Sequence, residues 1–280
     1  MNGFINVYKE KGQTSHDVVN KIRKIFGTKK VGHTGTLDPN ATGVLPIAVN
    51  NATKVIEYME HDDKTYIAEL TLGITTDTED IWGNILEEKT VNVGKEEIES
   101  VIKSFVGKQK QVPPMYSALK LNGKKLYELA REGKTIDRVA RDIEIFCIKD
   151  IMINENKASF EVHCSKGTYI RTLCKDIGEK LGCGATMSAL ERVQSGSFTI
   201  DTTVTLEELS ENGEKYLLDL EIPLKKFDII SLNEEEGKKY INGIRLGTER
   251  KDGLYRVYID GKLYGICRVN ENVIRSEKRI

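Results

Sequence analysis

Apolar side chains at Val18, Val19, Ile22, Ile25 and Phe26 recur at the spacing of one helical face. With Ser15 as N-cap and Gly27 as stop, they predict an amphipathic helix that turns Lys21, Arg23 and Lys24 outward. A second helix is predicted over residues 95–105, with Ile98, Val101, Ile102 and Phe105 inward. Strict alternation takes over at residues 65–72, where Tyr66, Ala68, Leu70 and Leu72 share a face, and predicts a half-buried strand. Further strands are expected at residues 143–148, 158–164 and 197–200. Between the last two, a Lys166-Gly167 turn opens a helix with Ile170, Leu173, Ile177 and Leu181 inward, closed by Gly182. Another helix starts at Thr205, where Glu208 completes a capping box. Strands and helices mix without a βαβ rhythm, so the pattern predicts an α+β fold.

Two stretches fit neither period. Residues 32–46 are broken by Gly32, Gly35, Pro39, Gly43 and Pro46 and read as a loop. Residues 113–123 open on Pro113-Pro114, and a short helix over 124–132 then stops at Gly133. Long ordered loops in a compact domain are usually functional. Beyond Pro223, residues 255–259 and 262–269 flank Asp260-Gly261, a strong hairpin signal, and a helix is expected near 234–242. The chain is therefore expected to divide into a body over residues 1–225 and a small, mostly β module over 228–280.

Composition narrows the class. A chain of 280 residues accommodates one large domain and one small one. It has no apolar run of about 18 residues and no signal-peptide core at its start, so a cytoplasmic protein without a membrane span is expected. The five cysteines are odd in number and form no CxxC pair, which argues against a disulfide framework and a zinc site. Net charge is −1, yet charge is segregated: residues 1–30 carry seven Lys/Arg against two acids, and residues 107–141 carry nine against three. Residues 54–100 carry four against thirteen. A polyanion is met by a local patch, so nucleic acid stays open as a partner.

The chemistry concentrates in GHTGTLDPNATGVLP, residues 32–46. Asp38 precedes a proline, which biases it to an extended backbone, and it lies near His33 and several threonines. One carboxylate in such a loop could act as nucleophile or base; on spacing alone an Asp-Pro turn with loop-capping hydroxyls is the better explanation. No Gly-Lys-Ser/Thr follows, so the loop is not a phosphate-cradling one.

Residues 32–47 closely resemble the signature of the TruB family of tRNA pseudouridine synthases, bacterial type. Lys64-Thr65-Tyr66, the run Pro114 to Lys120 with residues 123–127, and the run His163 to Leu173 resemble further motifs of that family, in the same order. The resemblance implies a mixed, largely antiparallel central sheet with flanking helices. It also implies isomerisation of uridine to pseudouridine at position 55 in the tRNA T arm, with no cofactor, no metal and no obligatory protein partner. Asp38 is then the essential carboxylate, Arg171 its partner, and Tyr66 the residue stacked on the target uracil. Tyr169 and Leu190 line the same pocket, and His33 fills the space vacated by the flipped base. Lys9, Lys64, Met115, Lys120, Lys124 and Lys125 are expected on the substrate, the last three in a mobile flap within 107–141 that grips phosphate. Residues 228–280 resemble, weakly, a short PUA-type RNA-binding module, and the enzyme is expected to act as a monomer.

Two positions depart from the family pattern. Lys9 is followed by Glu10 where the family has a proline, and residues 190–192 read Leu-Glu-Arg where it has Leu-Arg-Arg. The alternatives are a tRNA-binding or folding protein without catalysis and a glycoside hydrolase. The latter needs a pair of carboxylates, and the loops offer one acid.

Overall fold

The computed structural model describes residues 1–121 and 123–280, and all of their side chains except those of Lys120 and Leu121. Strand β1 (Gly3–Lys9) leads into helix α1 (Ser15–Ile25), then β2 (Val31–His33), β3 (Thr42–Val49) and β4 (Lys64–Leu72). A small hairpin, β5 (Ile74–Thr76) and β6 (Ile85–Glu88), precedes α2 (Lys95–Lys103) and β7 (Gly107–Gln111). The two-residue strands β8 (Lys120–Leu121) and β9 (Lys124–Lys125) and helix α3 (Leu126–Arg131) lie outside the main sheet. Long strands β10 (Arg141–Asn154) and β11 (Lys157–Cys164) return to it, followed by α4 (Ile170–Lys180), β12 (Ala185–Ser195), β13 (Phe198–Thr199) and α5 (Leu206–Asn212).

These strands form one sheet in the order β1-β3-β12-β4-β11-β10-β7, with β2 added on β3 and β13 on β12. Only the β3–β12 contact is parallel, so the sheet is mixed and largely antiparallel as expected. Two cores form on its helix-covered face. One gathers α4 and α2 with β4, β10, β11 and β12; the other gathers α1 with β1 and β3. Tyr66 and Leu190 pack against both and so mark the seam between them.

The structure redraws several boundaries. The expected loop over 32–46 ends at Asp38 and its neighbours, because residues 42–49 form a strand buried on both faces. Gly43 and Pro46 hid this. Gly43 adopts φ of 100°, and a Cβ there would lie 2.3 Å from the Arg192 carbonyl. The N-cap of α1 is Thr14, which closes a capping box with Asp17; Ser15 is buried inside the helix. The strand expected at 197–200 is only a two-residue return onto β12, and β12 itself is the central strand that periodicity missed.

The remaining residues build a five-stranded sheet from β14 (Ile229–Leu232), helix α6 (Glu234–Ile241), β15 (Leu246–Gly247), β16 (Gly253–Ile259), β17 (Lys262–Asn270) and β18 (Val273–Arg279). The β16–β17 turn holds Asp260 and Gly261 at φ of 49° and 74°, the primed geometry its dipeptide predicts. Ile266 of β17 is fully buried with Phe4, Val44, Ala48, Phe198 and Leu224 of the larger body.

Candidate active site

The Asp38 loop is fastened at both sides. Ser15 Oγ accepts from the Leu37 amide at 2.9 Å and lies 3.2 Å from its carbonyl, so the first turn of α1 fixes the residue before Asp38. The Pro39 carbonyl, one residue beyond, accepts from the Gly12 amide at 2.8 Å and from Lys9 Nζ at 3.1 Å. Lys9 also donates to the Glu10 and Gln13 carbonyls and is fully buried, which leaves it no face for a substrate. The expectation that Lys9 touches RNA is thereby corrected: its ammonium ties the Asp38 loop to β1. Desolvation lowers its pKa to about 8, against the opposing pull of Asp38.

Arg171 meets the loop from the other core. It lies in the first turn of α4, where the helix dipole disfavours a cation, and it is buried. Asp38 compensates, with Oδ2 at 2.9 Å from Nε and Oδ1 at 3.4 Å from Nη2. The Thr78 and Tyr116 carbonyls accept from Nη1 and Nη2 at 3.1 and 2.7 Å. A two-point contact of this kind fixes the orientation of the carboxylate. Gln111 sets the start of the helix: its side chain accepts from the Tyr169 amide at 2.8 Å and donates to the Tyr169 carbonyl at 3.1 Å. Nothing in the periodicity of β7 singled out Gln111; burial of a polar side chain at a strand end is visible only in three dimensions.

Beneath the pair, Tyr66 on β4 lies directly across the ladder from Arg192 on β12, and Arg192 also pairs with Gly43 on β3. Arg192 is buried and donates from Nε to the Val44 carbonyl at 2.7 Å and from Nη2 to the Gly35 carbonyl at 3.1 Å. It therefore joins both ends of the Asp38 loop to the strand that carries Tyr66. Burial pushes the Tyr66 phenol up, and the Arg192 guanidinium beside it pulls the other way. Within the departure at residues 190–192, Arg192 keeps a role that sequence reading did not assign, and Glu191 instead accepts from the Tyr8 hydroxyl at 2.6 Å.

His33 lies at the loop's other root, half-buried, with its Nδ1 unpartnered among the described residues. Desolvation and then Arg192 hold its pKa below the usual imidazole value, so the ring is neutral at pH 7. Lys64 turns its amine to the Asp62 carbonyl, and burial lowers its pKa. Tyr169 is part-buried, with its phenol pushed up by desolvation.

The expected flap has a sharper boundary than 107–141. Residues 107–111 belong to β7, and Gln111 pairs directly with Arg141 of β10, so residues 112–140 leave and rejoin the sheet at one rung. Met115 is half-buried in this excursion, next to the Tyr116 carbonyl that reaches Arg171. Lys124 is exposed and 3.6 Å from Glu132, and Lys125 and Arg131 each stand about 5.4 Å from the Tyr127 ring. The Lys120 side chain falls outside the described residues. His163 and Cys164 face opposite ways on β11: Cys164 enters the core and His163 pairs with Asp63.

Comparison with known proteins now bears on this geometry. Residues 23–170 match the N-terminal domain model of TruB family pseudouridylate synthases, and residues 171–225 match the tRNA pseudouridylate synthase B C-terminal domain. The chain belongs to the TruB family. It is 52% identical over 248 residues to a protein named tRNA pseudouridine synthase B from Alkaliphilus oremlandii (strain OhILAs), covering 88% of this chain and 83% of that one. A protein of the same name from Clostridium novyi (strain NT) is 49% identical over 99% of both chains. Among solved structures, a chain in a Cbf5-Nop10-Gar1 complex superposes with a TM-score of 0.76 at 27% identity, covering 99% of this chain and 84% of that one. TruB membership and the shared fold together account for the mixed sheet with flanking helices. Among the described residues, no helix is long and apolar enough to cross a membrane.

Proposed function

We propose that this protein isomerises uridine to pseudouridine at position 55 in the T arm of tRNA, with Asp38 as its essential carboxylate. The observation that carries the reading is the two-point Arg171–Asp38 pair, set beside Tyr66 and Leu190 where the two cores meet. The reaction breaks the N1–C1′ bond, turns the uracil, joins C5 to C1′, removes the proton from C5 and places one on N1, so atoms and electrons balance within the nucleotide. No redox partner is needed, and the reading calls for no cofactor. Arg171 keeps Asp38 aimed at the ribose or the base. Tyr66 stacks on the uracil and takes the C5 proton, while the apolar seam keeps water from the broken bond.

The target base must leave its stack to reach such a seam. His33, as a neutral ring, fills the space it vacates, and Tyr169 holds the site's edge. Met115, Lys120, Lys124 and Lys125 in the 112–140 excursion engage the T-arm backbone, and residues 228–280 act as a PUA-like RNA contact. The enzyme works as a cytoplasmic monomer without a protein partner.

Tritium release from tRNA labelled at uridine C5 tests the assignment. Wild type is expected to release tritium with no free uracil, and Asp38→Asn to lose turnover by at least about 1,000-fold while still binding tRNA. Full turnover by that variant would remove Asp38 from the chemistry.

A further inference from the structure

Trp82 is the only tryptophan of the chain, and it stays 41% exposed. The β5–β6 connection that presents it is tightly built. Asp77 accepts from the Asn84 amide at 2.8 Å and from the Asn84 side chain at 2.9 Å. Asp80 Oδ1 accepts from the Thr78 hydroxyl at 2.7 Å and from the Trp82 amide at 3.2 Å. At Gly83 a Cβ would lie 2.2 Å from Thr78 Oγ1, so the turn closes too tightly for a side chain there. The backbone that carries the indole is thus braced by its own loop.

That place is the wall of a cavity of about 360 Å³, lined also by Lys11, Asn40, Thr42 and Leu190. Asn40 and Thr42 belong to the segment that carries Asp38, and Leu190 lies on the seam. Lys11, from the β1–α1 turn, holds Nζ 5.0 Å from the Trp82 ring centroid. The two arms of the site therefore meet here. Lys11 extends from the β1 side that fastens Pro39, and Trp82 follows the Thr78 carbonyl that accepts from Arg171.

An exposed aromatic face on a braced loop, beside an ammonium, is the chemistry that binds unstacked nucleic acid, the ring taking a base and the cation a phosphate. The cavity is also lined by Ser159, Ser188, Glu69 and Glu191; Glu69 pairs with Lys157 at 2.9 Å and accepts from Ser188 at 2.7 Å, Glu191 accepts from Tyr8, and Lys11 is the cation of this lining. A base is thus directed onto the ring and its phosphate toward Lys11. We propose that Trp82 is a stacking platform for a nucleobase flanking the target uridine of the substrate RNA, with Lys11 moving from the ring to an adjacent phosphate. This rests on the reading of the site as an RNA uridine isomerase and names its second base-binding position.

The test uses the full chain and a T-arm stem-loop RNA. Because Trp82 is the sole indole, its emission reports this position alone. Saturating RNA is expected to quench it. Trp82→Ala is expected to raise KM about tenfold, within what one base–aromatic stack contributes, with the loss falling on KM ahead of kcat. Trp82→Phe recovers most of the affinity and Trp82→Leu does not. Unchanged emission at saturation, or wild-type affinity in Trp82→Leu, overturns the proposal. If wild type still releases tritium in that case, the isomerase reading stands without it. Wild type that binds RNA but releases none overturns the isomerase reading and this inference with it.

Discussion

Asp38 is positioned by side chains that bond the backbone on either side of it. Ser15, Lys9 and Arg192 each bond the backbone around it, and each is buried. Arg192→Met would leave the Gly35 and Val44 carbonyls without their donors inside the protein, at a cost of about 3 kcal/mol. Urea unfolding should register that loss, and turnover should fall with it because the Asp38 loop loses its root. Stability near wild type would mean that water replaces the guanidinium. His33 carries a pH signature. Its folded pKa lies below the unfolded value near 6.5, so as pH falls through that value the unfolded chain binds a proton that the folded one does not. Stability is therefore retained above about pH 6.5 and lost below it. Urea midpoints at pH 7 and pH 5 should fall further in wild type than in His33→Gln; equal losses would assign the acid sensitivity elsewhere.

At the scale of elements, the site is a junction of three neighbouring strands. β12 lies between β3 and β4 and so sets Arg192 beside both the Asp38 loop and Tyr66. Its pattern hid it: register shifts between Met187 and Ala189 and between Arg192 and Gln194 change which face alternate residues take. A period-two signal cannot survive two bulges in eleven residues. The helices were easier to read, since α1, α2 and α4 keep one apolar face from end to end. The 112–140 excursion makes a prediction of its own. Lys124→Ala with Lys125→Ala should weaken tRNA binding at low salt and reduce the slope of log affinity against log salt by about 1–2. An unchanged slope would show that these ammonium groups do not meet phosphate.

Across the whole molecule, the small sheet is not a loosely tethered module. Ile266 enters a core shared with Phe4 and Phe198, Lys278 pairs with Glu57 at 2.6 Å, and Lys226 pairs with Asp62. Ile266→Ala should cost about 3 kcal/mol and lower the stability of the entire chain in one cooperative transition. Two separate melting steps, with only the smaller one shifted, would show instead that the parts unfold independently.

The sequence by itself determined the helices, the Asp260-Gly261 hairpin and the identity of Asp38, Tyr66 and Arg171 as residues to watch. Those features depend on near neighbours in the chain: a period, a turn dipeptide or a long motif. Tertiary structure alone decided that Lys9 is a buried clamp, that Gln111 sets the start of α4, and that Arg192 joins Tyr66 to the Asp38 loop. Each of these depends on which strands lie side by side. Strand order arises from packing between segments far apart in sequence, which no local pattern encodes. The Asp38–Arg171 pair belongs to both kinds, since its residues were legible from motifs and its 2.9 Å contact arises only where two cores meet.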